Sequence, residues 1–358
     1  MRILFLVPYP EGKAPSQRFR FEQYLPVLKE KGYKVRVEPF LGQDTWEILY
    51  KEGNTVKKAR GILKGFGRRI KTLFQLHRYE RVFIHREASP VGPPVFEWLI
   101  AKMWRKRIIF DFDDAIWLPN TSAQNSIAAS LKFHQKTAAI CRWSHTISCG
   151  NKFLADYAQQ NTKKARVTVN PTTIDALQHH KQLKDHNSEP VVIGWTGTHS
   201  TIKYLKPLEP VLRELAEKYP QIIIRVISNQ APELSVPRLQ FIPWNKTTEI
   251  EDLLSFHIGL MPLTEDQWSA GKCGFKALQY MALGIPPVVS PVGVNTEIVR
   301  HEASGYIANT REEWFLYLEE LIRNTELRKE IGLKARQAVT ERFSVEANTP
   351  VFLGLFDG

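Results

Sequence analysis

The stretch His257–Asn295, HIGLMPLTEDQWSAGKCGFKALQYMALGIPPVVSPVGVN, decides how the chain is read. Its apolar opening, Ile258–Pro262, predicts a buried strand. A loop carrying Trp268, Gly271, Lys272 and Gly274 follows, then a helix from about Phe275 to Leu283 that stops at Gly284. A second apolar strand, Pro287–Ser290, comes next. A glycine-and-lysine loop that opens a helix is an anion site, because the first helical N–H groups have no intrahelical acceptor and carry partial positive charge. Lys272 and Lys276 flank that point, and Cys273, Gly274 and Phe275 supply its backbone. The expected ligand carries phosphate, in the form of a diphosphate.

Outward from this segment, strand and helix patterns alternate. Val191–Trp195, Ile222–Ser228, Leu239–Ile242 and Ile258–Pro262 read as strands, with helices at Tyr204–Lys218 and Thr248–Ser255 and two more at about 311–323 and 325–341. The N-terminal half alternates in the same way. Strands are expected at Ile3–Val7, Lys34–Val37, Val82–His85, Ile108–Phe112, Thr146–Ser148 and Val167–Asn170, and helices at Phe19–Lys31 and Val95–Trp104. The polar, aperiodic residues 176–189 read as the connection between two domains. Two successive sets of this kind predict an α/β protein of two doubly wound Rossmann-like domains, 1–175 and 190–344, with strand ends facing a shared cleft. The tail, 345–358, is expected to pack back on the first domain.

The 358 residues suit two domains with cores of their own. Three cysteines, Cys141, Cys149 and Cys273, have no disulfide or metal spacing and suit a reducing compartment as buried apolar groups. No apolar run reaches the ~20 residues needed to cross a bilayer, and RILFLVPYP reads as a first strand rather than a signal peptide. The net charge of +12 is uneven: residues 1–175 hold 30 Lys and Arg against 15 Asp and Glu, and the remainder 19 against 22. The basic half therefore expects an anionic partner, whether lipid headgroups, an acidic acceptor or nucleic acid.

Two segments of the basic half carry most of its chemistry. DFDDAIW, residues 111–117, places three carboxylates at a strand end, which is costly unless they meet a cleft, a cation or a donor. One reading is an Asp-x-Asp metal motif on a diphosphate; the other sets Asp113 and Asp114 apart as a pair, through the resemblance described below. His85 and Arg86 close another strand and are expected on the same rim, facing acceptor or phosphate. The second segment, residues 57–78, KKARGILKGFGRRIKTLFQLHR, has eight cations and no acid. On a helical wheel Ile62, Leu63, Phe66, Ile70, Leu73 and Phe74 form one arc, with Lys57, Arg60, Lys64, Arg68 and Lys71 opposite. That is the pattern of a helix on an anionic membrane surface, and its glycines, Gly61, Gly65 and Gly67, suit a segment that orders on contact.

The frame of the opening stretch resembles the donor-binding motif of glycosyltransferase family 4, the retaining glycosyl transferases group 1 with the two-domain GT-B fold. The helix, Gly284, Pro286–Val289 and Gly293 fall in place. The family's two glutamates do not: Gly271 and Gln279 occupy their positions. The family's Gly-Arg and following Lys, which clamp the donor diphosphate, correspond to Gly197, Thr198 and Lys203. The resemblance implies that Gln279 contacts ribose, that Trp244 lies by the nucleotide base, and that Asp113 and Asp114 take the place of a His-Asp pair beside the sugar. It also implies that Arg18 and Arg20 face donor phosphate or acceptor, with Lys276 among the catalytic groups. The expected donor is a UDP- or GDP-sugar, transferred with retention and without cofactor or protein-held metal. The expected acceptor is lipid-linked, in bacterial surface polysaccharide or cell-envelope biosynthesis, and the expected location is cytoplasmic and peripheral at the inner face of the membrane. Two other readings remain: a non-catalytic sugar-nucleotide-binding relative, suggested by the missing glutamates and arginine, and a nucleic-acid-binding protein. The second lacks a helix-turn-helix, zinc or aromatic RNA-reading motif.

Overall fold

The computed structural model describes residues 1–49, 51, 53–119 and 133–357. The chain forms two compact units, Met1–Thr172 with Asn348–Gly358, and Thr173–Ala347. Each holds a six-stranded sheet.

In the first unit the strands are β1 (Arg2–Val7), β2 (Lys34–Pro39), β3 (Arg81–His85), β4 (Arg107–Phe112), β5 (Thr146–Cys149) and β6 (Arg166–Val169). They run parallel in the order β2-β1-β3-β4-β5-β6. Ile3–Val7 and Val82–His85 are buried throughout, as parallel strands covered on both faces must be. Phe5 stacks on Phe83 at 4.6 Å, and Phe352 of the C-terminal segment stacks on Tyr24 at 4.2 Å.

The second unit contains β7 (Val192–Thr196), β8 (Ile223–Ser228), β9 (Leu239–Pro243), β10 (Ile258–Met261), β11 (Pro287–Val289) and β12 (Tyr306–Ile307). Their order, β12-β11-β10-β7-β8-β9, is that of a dinucleotide-binding sheet, with successive strands added outward from β7 on one side and from β10 on the other. The order reverses between β7 and β10, and ligands of such sheets bind beyond the strand ends at that reversal.

The reversal is built around two glycines. Gly194 and Gly259 are direct partners across β7 and β10. A Cβ on Gly194 would stand 2.1 Å from the Phe256 ring, and one on Gly259 would stand 2.3 Å from the Tyr280 ring. The two rings lie 6.0 Å apart, so each bare strand position admits an aromatic side chain. The hydroxyl of Tyr280 then accepts from Thr196 N at 3.0 Å and donates to Leu260 O at 3.3 Å, joining the two strands.

Several expected elements differ from those observed. The helix expected over Phe19–Lys31 is two short pieces, Glu22–Tyr24 and Leu25–Glu30, preceded by a separate turn, Pro15–Arg18. Pro26 lacks an N–H and fits only a first turn, so a new helix starts at Leu25. Tyr204–Lys218 divides for the same reason, into a 3-10 helix, Ile202–Leu208, and an α-helix, Glu209–Lys218, with Pro210 in its first turn. Val95–Trp104 is an α-turn, Val95–Trp98, followed by a wider π-turn, Leu99–Met103. Residues 176–189 are not the connection. Lys184 N donates to Leu283 O at 2.8 Å, His186 Nε2 bonds Gly284 O at 2.8 Å, and Arg336 donates to Ala176 O and His180 O at 2.6 Å. The segment thus belongs to the second unit, and the chain passes between units at Thr172–Thr173 and again at Ala347–Asn348.

The basic helix spans Thr55–Leu73. Its inner edge is Gly61, Gly65, Arg69 and Thr72. A Cβ on Gly61 would meet Thr45 at 2.2 Å, and one on Gly65 would meet Phe40 at 2.6 Å. These glycines are therefore the packing seam, not the loose points expected of a segment that orders on contact. Arg69 fixes the seam by donating to Val7 O, Glu38 O and Ala88 O at 2.8, 2.9 and 2.7 Å.

Two consequences are measurable. Gly259→Ala should lower stability by about 1–3 kcal/mol, because its Cβ overpacks the site, and Tyr280→Phe by about 1–3 kcal/mol, because it strands the buried Thr196 N–H; urea unfolding of each variant reads this directly. Acid sensitivity should come from His186 and His257, which burial pulls down to about 4 and about 3. Both are neutral when folded, whereas the unfolded chain takes up protons below about 6.5, so stability is full above that pH and falls with further acidification, by about 2 kcal/mol per histidine at pH 5. Unfolding curves collected from pH 8 to 4 that superimpose would remove these histidines from the stability of the second unit.

Candidate functional site

At the β7–β10 reversal two loops meet. After β7, Gly197 N donates to Ile227 O at 3.0 Å, and a Cβ at Gly197 would lie 2.4 Å from the Trp195 indole. Thr198 N donates to Thr201 Oγ1 at 3.1 Å, and the Thr198 and Ser200 hydroxyls are 2.9 Å apart, so the exposed turn presents hydroxyl groups where an arginine was expected by family. His199 is held by Asn229 through its backbone N–H at 2.8 Å and its ring at 3.0 Å. Lys203 is exposed, with Nζ 5.2 Å from the Tyr204 ring.

After β10, Asp266 caps the short helix Gln267–Ala270 by accepting from Ser269 N at 2.7 Å. The Ser269 hydroxyl donates to Tyr204 Oη at 3.2 Å, which ties this loop to the one after β7. Lys203 acts across the same join: it is among the groups that hold the Asp266 carboxyl below its usual range, where the Thr264 and Ser269 hydrogen bonds outweigh the burial that opposes them. Gly274 then takes the left-handed conformation, φ 67°, and starts the helix Phe275–Ala282 without a side-chain cap. A Cβ there would stand 2.1 Å from Ile298, so only glycine fits both the turn and the packing.

Two lysines crown this start. Lys272 Nζ lies 4.9 Å from the Trp268 ring centroid. Lys276 Nζ lies 5.6 Å from that of Trp195, the last side chain but one of β7, so the ammonium stands over the reversal itself. Cys273 is buried, with Sγ 3.9 Å from Gly271 O. Gln279 is 2 % exposed, and its Nε2 has no hydrogen-bond partner among the described residues. A buried amide nitrogen without an acceptor costs about 1–3 kcal/mol. The Trp244 indole donates to Glu249 Oε1 at 3.3 Å and packs on the apolar cluster around Phe256.

The first unit has its own polar constellation at the carboxyl ends of β3, β4 and β5, and it differs from the expected open rim. Arg20, His85, Asp111 and Ser148 are all buried. Asp111 pairs with Arg20, meets His85 Nδ1 at 2.8 Å and accepts from Ser148 Oγ at 2.6 Å. Burial works to raise the Asp111 carboxyl, but Arg20 and His85 outweigh it and hold the acid well below its usual range. Arg20 also donates to Asn170 O. Arg20 and His85 are thus engaged with Asp111 inside the sheet. Arg18 is likewise buried, with its guanidinium 4.9 Å from the Phe19 ring.

Arg86 is paired as well. It adopts a left-handed conformation, φ 59°. That turn aims its guanidinium at Asp113 (Nε to Oδ1, 2.8 Å) and Asp114 (Nη2 to Oδ2, 2.6 Å). Burial lowers its proton affinity, yet the two carboxylates more than offset that, and the guanidinium stays charged. Its guanidinium bridges the two carboxylates. Asp113 and Asp114 remain partly exposed, at 12 % and 16 % of their side chains, as an ion-paired edge. Of the cations expected at a membrane, Lys57, Arg60, Lys64 and Lys71 are exposed, whereas Arg68 turns inward and donates to Phe40 O.

The fold is GT-B, and solved structures across nearly the whole chain share it. Sucrose-phosphate synthase from Thermosynechococcus elongatus superimposes with a TM-score of 0.70 at 12 % identity, covering 99 % of this chain and 98 % of that one. A glycosyltransferase from Rickettsia africae gives 0.66 at 12 % identity (99 % and 97 %), and HepE of Anabaena, solved with UDP, gives 0.64 at 14 % identity (99 % of each). Residues 174–338 match the family described as glycosyl transferases group 1, and the matched stretch lies wholly within the second unit. A Dictyostelium discoideum protein named GDP-Man:Man(3)GlcNAc(2)-PP-Dol alpha-1,2-mannosyltransferase is 30 % identical over 155 residues, 37 % of this chain and 30 % of that protein. The matched region therefore spans under a third of that curated relative.

Asp111→Asn should cost the first unit about 3–5 kcal/mol, since it leaves Arg20 as a buried charge without its counter-ion. Loss of less than 1 kcal/mol in denaturant unfolding would show that the network tolerates a neutral centre.

Proposed function

We propose that the chain is a glycosyltransferase that binds a nucleoside diphosphate sugar at the β7–β10 reversal of its second unit. The observation that carries this is Lys276, standing over Trp195 where the glycine loop opens the helix Phe275–Ala282. Diphosphate oxygens placed there meet helix N–H groups, the Lys276 ammonium and the hydroxyls of Thr198 and Ser200. Gln279, whose amide nitrogen has no protein acceptor among the described residues, is the group to receive a ribose hydroxyl. Lys203 and Lys272 are the further diphosphate ligands. Support comes from the group 1 family match over this unit and from two names: a GDP-mannose-using relative and a UDP-bound structural neighbour.

In this reading an acceptor hydroxyl attacks the anomeric carbon as its bond to the diphosphate breaks. The hydroxyl proton passes to a donor phosphate oxygen, and configuration is retained without a protein-held metal. Negative charge grows on the departing diphosphate, so cations at that point lower the barrier. The acceptor is lipid-linked, by analogy with the dolichol-linked acceptor in the relative's name, and the setting is bacterial surface polysaccharide or cell-envelope biosynthesis at the inner face of the membrane. Asp113 and Asp114 are assigned to the reacting sugar.

One observation favours a second reading, a protein that binds sugar nucleotide without transferring it: Arg86 already neutralises both carboxylates. The two readings separate by assay. In a thermal-shift series with UDP, GDP and their sugars, a matching ligand at 100 times its Kd should stabilise the protein by ~2.7 kcal/mol. Silence from every nucleotide would remove both. Lys276→Ala should then cut donor turnover by at least about tenfold, a loss of ~1.4 kcal/mol of transition-state stabilisation. Binding without product in the unaltered protein would favour the second reading.

A further inference from the structure

The seam that fixes the basic helix also fixes what it shows to solvent. With Gly61, Gly65, Arg69 and Thr72 against the sheet, the opposite face carries Val56, Leu63, Ile70 and Phe74. These side chains are 68 %, 68 %, 51 % and 71 % exposed. They recur at spacings of seven and four, which on an α-helix is a single outward stripe. Solvated helix faces do not ordinarily expose four large apolar groups in line, and such a stripe marks an interaction surface.

The flank of the stripe names the partner. Arg60, Lys64 and Lys71 are exposed beside it, and residues 57–78 contain no acid. A neighbouring segment adds to it: Phe66 of the basic helix stacks on Phe96 at 6.0 Å, the turn holding Phe96 exposes Trp98 by 47 %, and the π-turn after it exposes Met103 by 60 %. Apolar residues edged by cations, with a tryptophan at hand, match the layered chemistry of a bilayer surface, apolar within and anionic at the headgroups. A nucleic acid would be met by the cations alone and has no use for the stripe.

We infer that this face docks on an anionic phospholipid bilayer, with Leu63, Ile70 and Phe74 entering the acyl boundary and Arg60, Lys64 and Lys71 at the headgroups. Docking requires no donor, so the surface stands or falls separately from sugar transfer.

Sedimentation of the full chain with vesicles tests it. The protein should pellet with mixed phosphatidylglycerol and phosphatidylcholine vesicles, far less with phosphatidylcholine alone, and binding should weaken as salt rises. Replacing the three cations, Arg60→Gln with Lys64→Gln and Lys71→Gln, should lower partitioning on the order of a hundredfold. Leu63→Ser with Ile70→Ser should lower it by at least about tenfold at unchanged charge. Lys71→Gln alone, worth about fivefold, serves if a multiple variant unfolds. Nucleotide-induced thermal shifts should persist in every variant, which separates loss of docking from loss of the donor site. Absence of vesicle binding at low salt overturns the inference. So does binding that ignores the Leu63 and Ile70 changes and is matched by duplex DNA, the mark of a surface for polyanions in general.

Discussion

The hydroxyl of Tyr280 is the contact on which the second unit turns. Strands β7 and β10 must lie side by side while the chain leaves them in opposite directions, and the last backbone groups of both need partners. Tyr280 supplies one to each, at Thr196 N and Leu260 O. It can reach them only because Gly259 leaves room for its ring and Gly194 leaves room for Phe256 alongside. The helix that carries Tyr280 is thereby set at a fixed height above the sheet. That height brings Lys276, one turn earlier, over Trp195. The position of a surface ammonium thus follows from two missing side chains in the core.

This coupling explains what could be read from the residues and what could not. The strands were legible because β-branched and apolar runs such as Arg2–Val7 and Val192–Thr196 suit the pleated surface of a buried sheet wherever they occur. The helix ending at Gly284 was legible from local backbone chemistry, since Gly284 does take a left-handed conformation, φ 70°. The pairing of Gly194 with Gly259 was not, because each glycine by itself resembles an ordinary strand interruption. Nor were the helix breaks, since Pro26 and Pro210 divide helices whose apolar periodicity continues across them. At the candidate site the lysines and the glycine loop were legible, while Tyr204, Ser269 and Trp195, which shape it, carry no pattern a linear reading would select.

The first unit makes the complementary point about charge. Its arginines invited a reading as ligands, since an arginine at a strand end is drawn as readily for phosphate as for carboxylate. Which one it meets depends on partners far away in the chain. Arg20 finds Asp111, 91 residues on, and Arg86 finds Asp113, 27 residues on. Such pairs arise from sheet topology, β3 beside β4, and no spacing along the sequence announces them.

A further consequence concerns how the molecule looks from a distance. Arg18, Arg20, Arg69 and Lys136 are buried, and Arg68 and Arg86 are turned toward carbonyl or carboxylate oxygens. A part of the positive charge tallied for the N-terminal half therefore serves as internal mortar. The electric field that reaches an approaching polyanion or an ion-exchange resin is set by fewer cations than the composition implies. The protein should accordingly be held by such a resin less tightly than its formal charge would predict.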